Sequence, residues 1–285
     1  MAKTPVLTAN DHDRNAAGLK YIYPVFSRRA GGLSIGINFN TNNACNWRCI
    51  YCQVPGLKVG AAPKLDFRLL ENELRFFLAD VLYGDFYDRF QVARQHRIVK
   101  DIAVSGNGEP TSLKDFDQAI ALIGQVATEL GIFPGSHFVL ITNGSLVHQP
   151  SVQSGLAKLR EFGGEVWYKF DSATESGRKL INNAKQPLAK ATENLLISSS
   201  LCSTKIQTCL VDYCGKGLTD VEKEAYLQFL GKIRERTVVR QVMLYTIARP
   251  SCQPEAGELT PLSEEVMLRL ADDIRRIGFE VSVSS

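Results

Sequence analysis

The chain has 285 residues, of which 45% are hydrophobic and 22% are charged, and both fractions are near those of ordinary globular proteins. A formal net charge of +3 is too small for a protein that coats nucleic acid through a dense basic surface. Residues 1–20 lack the apolar segment of a signal peptide, and no apolar run approaches the length of a membrane span. We therefore expect neither export nor membrane insertion and predict a cytoplasmic protein.

The apolar pattern predicts strands and helices that alternate along the chain. A short strand comes first, followed by a polar loop that carries cysteines and ends at Pro55 and Gly56. The predicted strands cover 33–39, 98–104, 137–142, 165–171, 205–212, 238–246 and 279–283. The predicted helices cover 66–82, 115–130, 151–162, 187–200, 219–236 and 263–277.

This alternation predicts a parallel sheet, because right-handed crossovers connect parallel strands. Six βα units are fewer than the eight of a closed TIM barrel, so the predicted fold is α/β, an incomplete (β/α)6 TIM-like barrel with short N- and C-terminal extensions. We divide the chain into a lead segment at 1–30, a core barrel at 31–250, and a C-terminal helix and strand at 251–285 that pack on the barrel. In such folds the site lies at the carboxyl ends of the strands.

Three of the seven cysteines, Cys45, Cys49 and Cys52, lie within eight residues on the loop after the first predicted strand. An odd number of cysteines with this clustering argues against a disulfide framework and favours thiolates that bind metal. Three thiolates leave one iron of a [4Fe-4S] cluster without a protein sulfur, and an open iron can bind a cofactor directly. The alternative is a zinc site with a distant fourth ligand.

The spacing C-x3-C-x-aromatic-C, with Tyr51 in the aromatic position, resembles the motif of the radical SAM superfamily, and the likeness extends over about residues 24–250. The resemblance implies one [4Fe-4S] cluster on Cys45, Cys49 and Cys52, with S-adenosylmethionine (SAM) bound to the open iron. It further implies reductive cleavage of SAM to a 5'-deoxyadenosyl radical that abstracts hydrogen from a substrate. An electron donor such as flavodoxin or ferredoxin is implied as well.

Polar residues after the next three strands are similar to the SAM-binding motifs of that superfamily. The turn SGNGEPT resembles its GGEP motif, in which glycines let the backbone approach a ligand and Glu109 accepts from an ammonium group or supports contacts to one. Lys169 is expected to pair with the SAM carboxylate, and Asp171 or Ser172 to reach a ribose hydroxyl. An ordinary Gly-rich turn, and mutual neutralisation of Lys169 and Asp171, are the alternatives. The implied cofactor contacts are Tyr51, Gly106, Asn107, Gly108, Glu109, Thr142, Asn143, Lys169, Asp171 and Ser172.

Longer stretches resemble the Fe-S oxidoreductase group related to wybutosine-synthesis enzymes, which rebuild a guanosine in tRNA. These stretches are SRRAGGLSIGIN, IYCQVPG, SGNGEPT, FDSATESGRKLIN and YTIARP. The sequence contains neither the upstream cysteine array nor the flavodoxin domain of those enzymes. The resemblance leaves the substrate open and favours RNA or a nucleotide derivative. The alternatives are a maturase or peptide-modifying enzyme, and a non-catalytic Fe-S redox or sensor protein.

The remaining candidates concern the substrate. Guanidinium groups match phosphate and carboxylate, so Arg28, Arg29 and Arg249 are candidates for binding an anionic substrate, unless they are solvated surface residues. Cys214 and Cys252 follow neighbouring predicted strands and are candidate active-site thiols, or else ordinary small buried residues. Cys202 and Cys209 lie before and within a strand, so the four later cysteines do not converge, and we expect only one cluster.

Overall fold

The computed structural model describes residues 17–27 and 32–284. The described part contains twelve strands: β1 (Ile22–Ser27), β2 (Gly32–Ile37), β3 (Ala44–Cys45), β4 (Lys58–Val59), β5 (Val99–Val104), β6 (His137–Thr142), β7 (Glu165–Lys169), β8 (Ser203–Cys209), β9 (Val211–Tyr213), β10 (Gln241–Tyr245), β11 (Leu259–Pro261) and β12 (Glu280–Ser284). Its α-helices are α1 (Phe67–Tyr83), α2 (Phe86–Arg89), α3 (Phe116–Glu129), α4 (Pro150–Glu161), α5 (Glu175–Asn182), α6 (Leu188–Leu201), α7 (Asp220–Arg236) and α8 (Glu264–Ile277).

Eight strands form the main sheet, in the order β1-β2-β5-β6-β7-β8-β10-β12. Strand β1 is antiparallel to β2, and every other neighbouring pair in this sheet is parallel. The two edge strands, β1 and β12, do not pair with each other, so the sheet does not close. The predicted α/β fold, with an incomplete barrel of mostly parallel strands, is confirmed.

Side chains of the sheet alternate between the interior cavity and the layer of helices. On β5 and its C-terminal extension, Asp101, Ala103 and Ser105 line the cavity, whereas Ile102 and Val104 lie in the hydrophobic core. This period of two is what a strand requires when its faces meet different surroundings. The core side therefore packs against helices, and the other side is left for polar groups.

Local sequence signals set the helix ends. Helix α8 begins after Ser263, whose hydroxyl accepts from the Val266 backbone N–H, and ends at Gly278, where φ is +99°. Its buried side chains recur at helical spacing and comprise Met267, Leu270, Ala271 and Ile274. Helix α8 thereby carries the chain back to the sheet, where β12 pairs with β10.

Two parts of the predicted domain division lie within the main sheet. Strand β1 belongs to the predicted lead segment, and β12 to the predicted C-terminal extension, yet both pair with strands of the core. The division at 1–30, 31–250 and 251–285 remains a proposal from the sequence. Among the described residues, the helices include none with the length and apolar character needed to cross a membrane.

Candidate active site

A cavity of about 690 Å³ lies inside the sheet and reaches the carboxyl ends of its strands. Residues of the cysteine loop, of the turn after β5 and of the ends of β6, β7 and β10 share its lining. The lining residues that were predicted from the sequence are Cys45, Cys49, Tyr51, Cys52, Gly106, Asn107, Gly108, Glu109, Asn143, Lys169 and Arg249. The structure thus brings most of the predicted residues to one space.

Helix α5 fixes the middle of the cysteine loop. The backbone N–H of Arg48 donates to the carbonyl of Asn182 at 3.2 Å, and that of Ile50 donates to the carbonyl of Ile181 at 2.8 Å. These two bonds flank Cys49. Carbonyls at the end of a helix lack intrahelical partners, so they are available to hold a loop in this way.

The segment after β10 fixes the other side of the loop. Arg48 forms a two-pronged ion pair with Glu255, with both N···O distances at 2.8 Å. Ser251 donates its hydroxyl to the Ile50 carbonyl at 2.7 Å, and the Cys252 N–H donates to the Cys52 carbonyl at 2.8 Å. Contacts from both sides therefore hold the loop without using the three thiols.

The loop thiols are suited to a group that supplies positive charge. Burial raises the pKa of Cys45 to about 12 and that of Cys49 to about 11, so neither is a thiolate at neutral pH unless a cation compensates. Iron deprotonates the thiols that bind it. No group of three or more His, Cys, Asp or Glu side chains in the described residues could hold one metal ion. A cube spreads three thiolates over three irons, so its cysteines need not surround a single point.

The glycines of the turn after β5 allow it to pack against neighbouring loops. Gly106 has φ of +146°, and a Cβ there would collide with the Asn38 side chain, while a Cβ at Gly108 would collide with the Ala44 carbonyl next to Cys45. The Asn107 N–H donates to the Asn38 Oδ1 at 3.0 Å. Both positions are therefore occupied by glycine at least in part because the turn packs closely against Asn38 and Ala44 beside the cavity.

Glu109 joins the turn after β5 to the end of β6. Its buried carboxylate accepts from the Thr111 N–H at 3.1 Å, the Thr111 hydroxyl at 2.5 Å, the Thr142 hydroxyl at 2.6 Å and the Asn143 N–H at 2.7 Å. Burial raises the pKa of Glu109 in spite of these four hydrogen bonds. Oε1 accepts three of them and Oε2 accepts one, so a single acceptor position remains on Oε2 for a ligand.

Lys169 is a partly buried cation in the cavity lining. Its Nζ donates to the Tyr245 hydroxyl at 2.8 Å and lies 5.1 Å and 5.3 Å from the ring centres of Tyr51 and Tyr245. Within the described residues it forms no ion pair. Burial lowers its pKa, but Asp171, Tyr245 and Cys49 outweigh that effect and raise the pKa above its usual range. The ammonium group is therefore charged and available to an anionic ligand.

Asp171 lies just outside the cavity lining, and protein donors bind both oxygens of its carboxylate. Oδ2 accepts from the Tyr51 hydroxyl and from the Asn182 amide, the latter at 2.7 Å, and Oδ1 accepts from the Cys209 N–H at 2.8 Å. One acceptor position remains on Oδ1 for the predicted ribose contact, but Asp171 does not line the cavity. The geometry favours a different role, in which Asp171 orients residues of the cysteine loop.

Other predicted residues are also placed away from the cavity lining. Thr142 is buried and bonded to Glu109, and the Ser172 hydroxyl donates to Glu222 at 2.7 Å. Cys214 and Cys252 are exposed, so the alternative that they are buried apolar residues is wrong, and neither lines the cavity.

The three arginines proposed for the substrate have different outcomes. Arg249 lines the cavity, and its backbone carbonyl accepts from Gln53 at 3.2 Å. Arg28 and Arg29 lie outside the described residues. Arg249 therefore has a structural basis as a candidate for binding an anionic substrate, and the candidacy of Arg28 and Arg29 stays a prediction from the sequence.

Three site residues were missed in the sequence. Tyr245, at the end of β10, reaches Lys169, and Asn182, at the end of α5, donates to Cys49 Sγ at 3.3 Å. Arg178 is 1% exposed and lies over the rings of Trp47 and Phe170. A strand-end tyrosine was a usable signal for the first of these. The other two lie on α5, which the apolar pattern did not reveal.

Known proteins share this fold. A structure described as a radical SAM methyltransferase from Sphaerobacter thermophilus has a TM-score of 0.60 and 14% identity, over 92% of this chain and 68% of that one. A structure of TYW1 with a bound lysine-pyruvate adduct has a TM-score of 0.53 and 17% identity, and the match covers 85% of this chain and 73% of that one. Spore photoproduct lyase, complexed with dinucleoside spore photoproduct, has a TM-score of 0.54 and 9% identity, and the match covers 85% of this chain and 74% of that one.

Sequence comparisons give the family. A curated protein of Brachyspira hyodysenteriae (strain ATCC 49526 / WA1), named GTPase Obg, is 27% identical over 157 residues, which are 54% of this chain and 20% of that protein. The chain thus spans about a fifth of that relative's length. The sequence profile of the radical SAM superfamily matches residues 39–230, well over half of the chain, including all three loop cysteines. The chain therefore belongs to the radical SAM superfamily, whose enzymes use a [4Fe-4S] cluster and SAM.

Proposed function

We propose that Cys45, Cys49 and Cys52 hold the cluster and that SAM binds beside it in the 690 Å³ cavity. The observation that carries this proposal is that the three cysteines, Lys169 and the turn after β5 share one lining. When bound, the cluster supplies the electron that cleaves SAM, and the resulting 5'-deoxyadenosyl radical abstracts hydrogen from a substrate. The protein supplies binding, orientation and exclusion of water.

The contacts of the cavity side chains suit them to separate roles in SAM binding. Lys169, a cation without a carboxylate partner in the described residues, pairs with the carboxylate of SAM. Glu109 keeps the turn after β5 and the end of β6 in register, and its remaining acceptor position on Oε2 receives the ammonium group. The rings of Tyr51 and Tyr245 flank Lys169 and shield it from water.

The substrate proposed is RNA or a nucleotide derivative. Phe26 and Trp167 line the cavity, are partly exposed and offer rings on which a base can stack. Arg249 lines the same cavity and can bind a phosphate bidentately. A structural relative, spore photoproduct lyase, is described with a dinucleoside bound. The electron donor is proposed to be a flavodoxin or a ferredoxin.

Anaerobic reconstitution tests the SAM site. After reduction by dithionite with SAM, the wild-type protein should form 5'-deoxyadenosine. Lys169→Met should keep the cluster but lower SAM affinity about ten- to hundredfold, because a charge-assisted hydrogen bond contributes roughly 1.5 to 3 kcal/mol. Lys205→Met is the matched control, since Lys205 pairs with Glu165 at 2.7 Å and does not line the cavity. Equal SAM affinity in both variants would place the carboxylate elsewhere.

The substrate proposal has its own test. Purified cellular RNA and a mixture of nucleoside monophosphates are each added to the reconstituted enzyme, and the rate of 5'-deoxyadenosine formation is measured. Acceleration by RNA that is lost after ribonuclease digestion supports an RNA substrate, and acceleration by the monophosphates supports a nucleotide. Acceleration by neither, with a peptide digest of cellular protein active instead, would favour a peptide-modifying enzyme.

A further inference from the structure

A buried side chain donates a hydrogen bond to one of the loop sulfurs. Asn182 is 0% exposed, and its Nδ2 lies 3.3 Å from Cys49 Sγ and 2.7 Å from Asp171 Oδ2. Both hydrogens of the amide are therefore used, one toward a sulfur and one toward a carboxylate.

The orientation of this amide follows from its partners. A carboxylate can only accept, so the atom of Asn182 that faces Asp171 must be the nitrogen. Asp171 is itself fixed by the Tyr51 hydroxyl and by the Cys209 N–H. The same nitrogen lies beside Cys49 Sγ, so the second N–H is directed at the sulfur.

The carbonyl oxygen of the same amide has no partner. Asn182 Oδ1 is buried and accepts no hydrogen bond in the described structure. An unsatisfied buried acceptor destabilises the folded chain, and an apolar side chain of similar size would avoid that penalty. The amide is thus better explained by what its N–H groups do than by packing.

The backbone holds the donor and the sulfur in register. The carbonyls of Ile181 and Asn182 accept from Ile50 and Arg48, the residues on either side of Cys49. Any movement of the loop relative to the end of α5 would break these bonds. The contact between Asn182 and Cys49 is therefore built into the fold.

We propose that Asn182 is a positioning residue that donates to the Cys49 sulfur and raises the reduction potential of the cluster. The inference rests on the proposed function, in which Cys49 is a cluster ligand. Reduction adds negative charge to the cluster and its sulfurs, so an N–H directed at a sulfur stabilises the reduced form more than the oxidised form. Asp171 orients the amide for this contact by accepting its other N–H.

Asn182→Leu tests this directly. The variant and the wild type are reconstituted, and the midpoint potential is measured by titration with EPR detection of the reduced cluster. The expected result is a potential shifted to a more negative value in Asn182→Leu. Asn194→Leu is the matched control, because Asn194 is also 0% exposed with an unpartnered Oδ1, but donates to the carbonyls of Gly144 and Ser145. Its potential should equal that of the wild type.

An intact cluster with unchanged potential in Asn182→Leu would overturn the inference and leave the proposed function standing. The proposed function fails in a different experiment, if Cys49→Ala retains a full cluster. Should Asn182→Leu fail to load a cluster, wild-type protein carrying 15N in its asparagine side chains is used instead. Pulsed EPR of the reduced cluster should then detect coupling to a 15N nucleus, and its absence would equally overturn the inference.

Discussion

Replacement of Glu109 by glutamine tests whether its carboxylate joins two strand ends. The carboxylate accepts four hydrogen bonds from three residues, Thr111, Thr142 and Asn143. A glutamine of the same shape has one acceptor oxygen, so in its better orientation its NH2 group faces the Asn143 N–H. One charge-assisted bond is lost and one buried N–H is left unsatisfied.

The magnitude follows from these losses. A hydrogen bond to a charged group contributes roughly 1.5 to 3 kcal/mol, and an unsatisfied buried N–H adds roughly 1 to 3 kcal/mol. The neutral amide, however, avoids the desolvation that raises the pKa of Glu109. We therefore expect Glu109→Gln to lower the free energy of unfolding by about 2 to 4 kcal/mol.

Urea unfolding of the metal-free, reduced chain, followed by circular dichroism, measures this change. Glu129→Gln is the control, because Glu129 is an exposed residue whose carboxylate pairs with Arg75 at 2.7 Å. A surface ion pair contributes at most about 1 kcal/mol, so the control should remain near the wild type. An unfolding free energy for Glu109→Gln within about 0.5 kcal/mol of the wild type would refute the reasoning, since that is the scatter of neutral surface changes.

Three further outcomes are expected. Replacing any one loop cysteine with alanine should remove most cluster absorbance and SAM cleavage, and full activity in one such variant would contradict the ligand assignment. Reconstituted protein should contain about four irons per chain, unchanged in Cys214→Ser and Cys252→Ser, whereas about eight would require a second cluster. Burial raises the pKa of Asp101 above 3.8, so the folded chain keeps this proton to higher pH than the unfolded chain. Between the pKa of Asp101 in the unfolded chain and its higher pKa in the folded chain, the unfolding free energy of the wild type relative to Asp101→Asn should therefore fall as pH rises. Urea unfolding from pH 4 to 7 measures this change.

The sequence predicted the parallel strands well but missed the first strand of the sheet. Strand β1 contains Pro24, which opposes Ile35 of β2. A proline argues against a strand because it cannot donate to the ladder, yet an edge strand tolerates it. Because β1 lies at the edge of the sheet, Pro24 is compatible with a strand there.

The sequence pattern did not predict helix α5, because this helix lacks an apolar buried face. Its buried residues are Gly177, Arg178 and Asn182, so the face turned to the protein is polar. A search for apolar side chains at helical spacing cannot find such a helix. This helix matters for the site, because Asn182 donates to the sulfur of Cys49 and the carbonyls at the end of the helix hold the cysteine loop.

The candidate site likewise contains features that the local sequence predicts and contacts that it does not. The cysteine spacing and the position of Lys169 at the end of a strand are local features, and the structure places these residues in one cavity. The contacts of Asp171 are not local, since its partner Tyr51 lies 120 positions away along the chain. Which of two polar residues near a strand end faces a ligand depends on such distant donors, and no local pattern contains them.

The cysteine motif itself explains how its thiols are presented to the cavity. Three of the residues between the cysteines have largely buried side chains: Trp47, Ile50 and Tyr51 are 5%, 2% and 8% exposed. Ile50 and Tyr51 pack in a small cluster with Cys209, Ile247 and Leu259, beneath the loop. Burial of one such side chain contributes roughly 1.5 to 3 kcal/mol, so the apolar residues of the motif hold the loop whether or not metal is present. The spacing therefore serves two functions at once, because the three cysteines line the cavity while the residues between them bury the side chains that hold the loop.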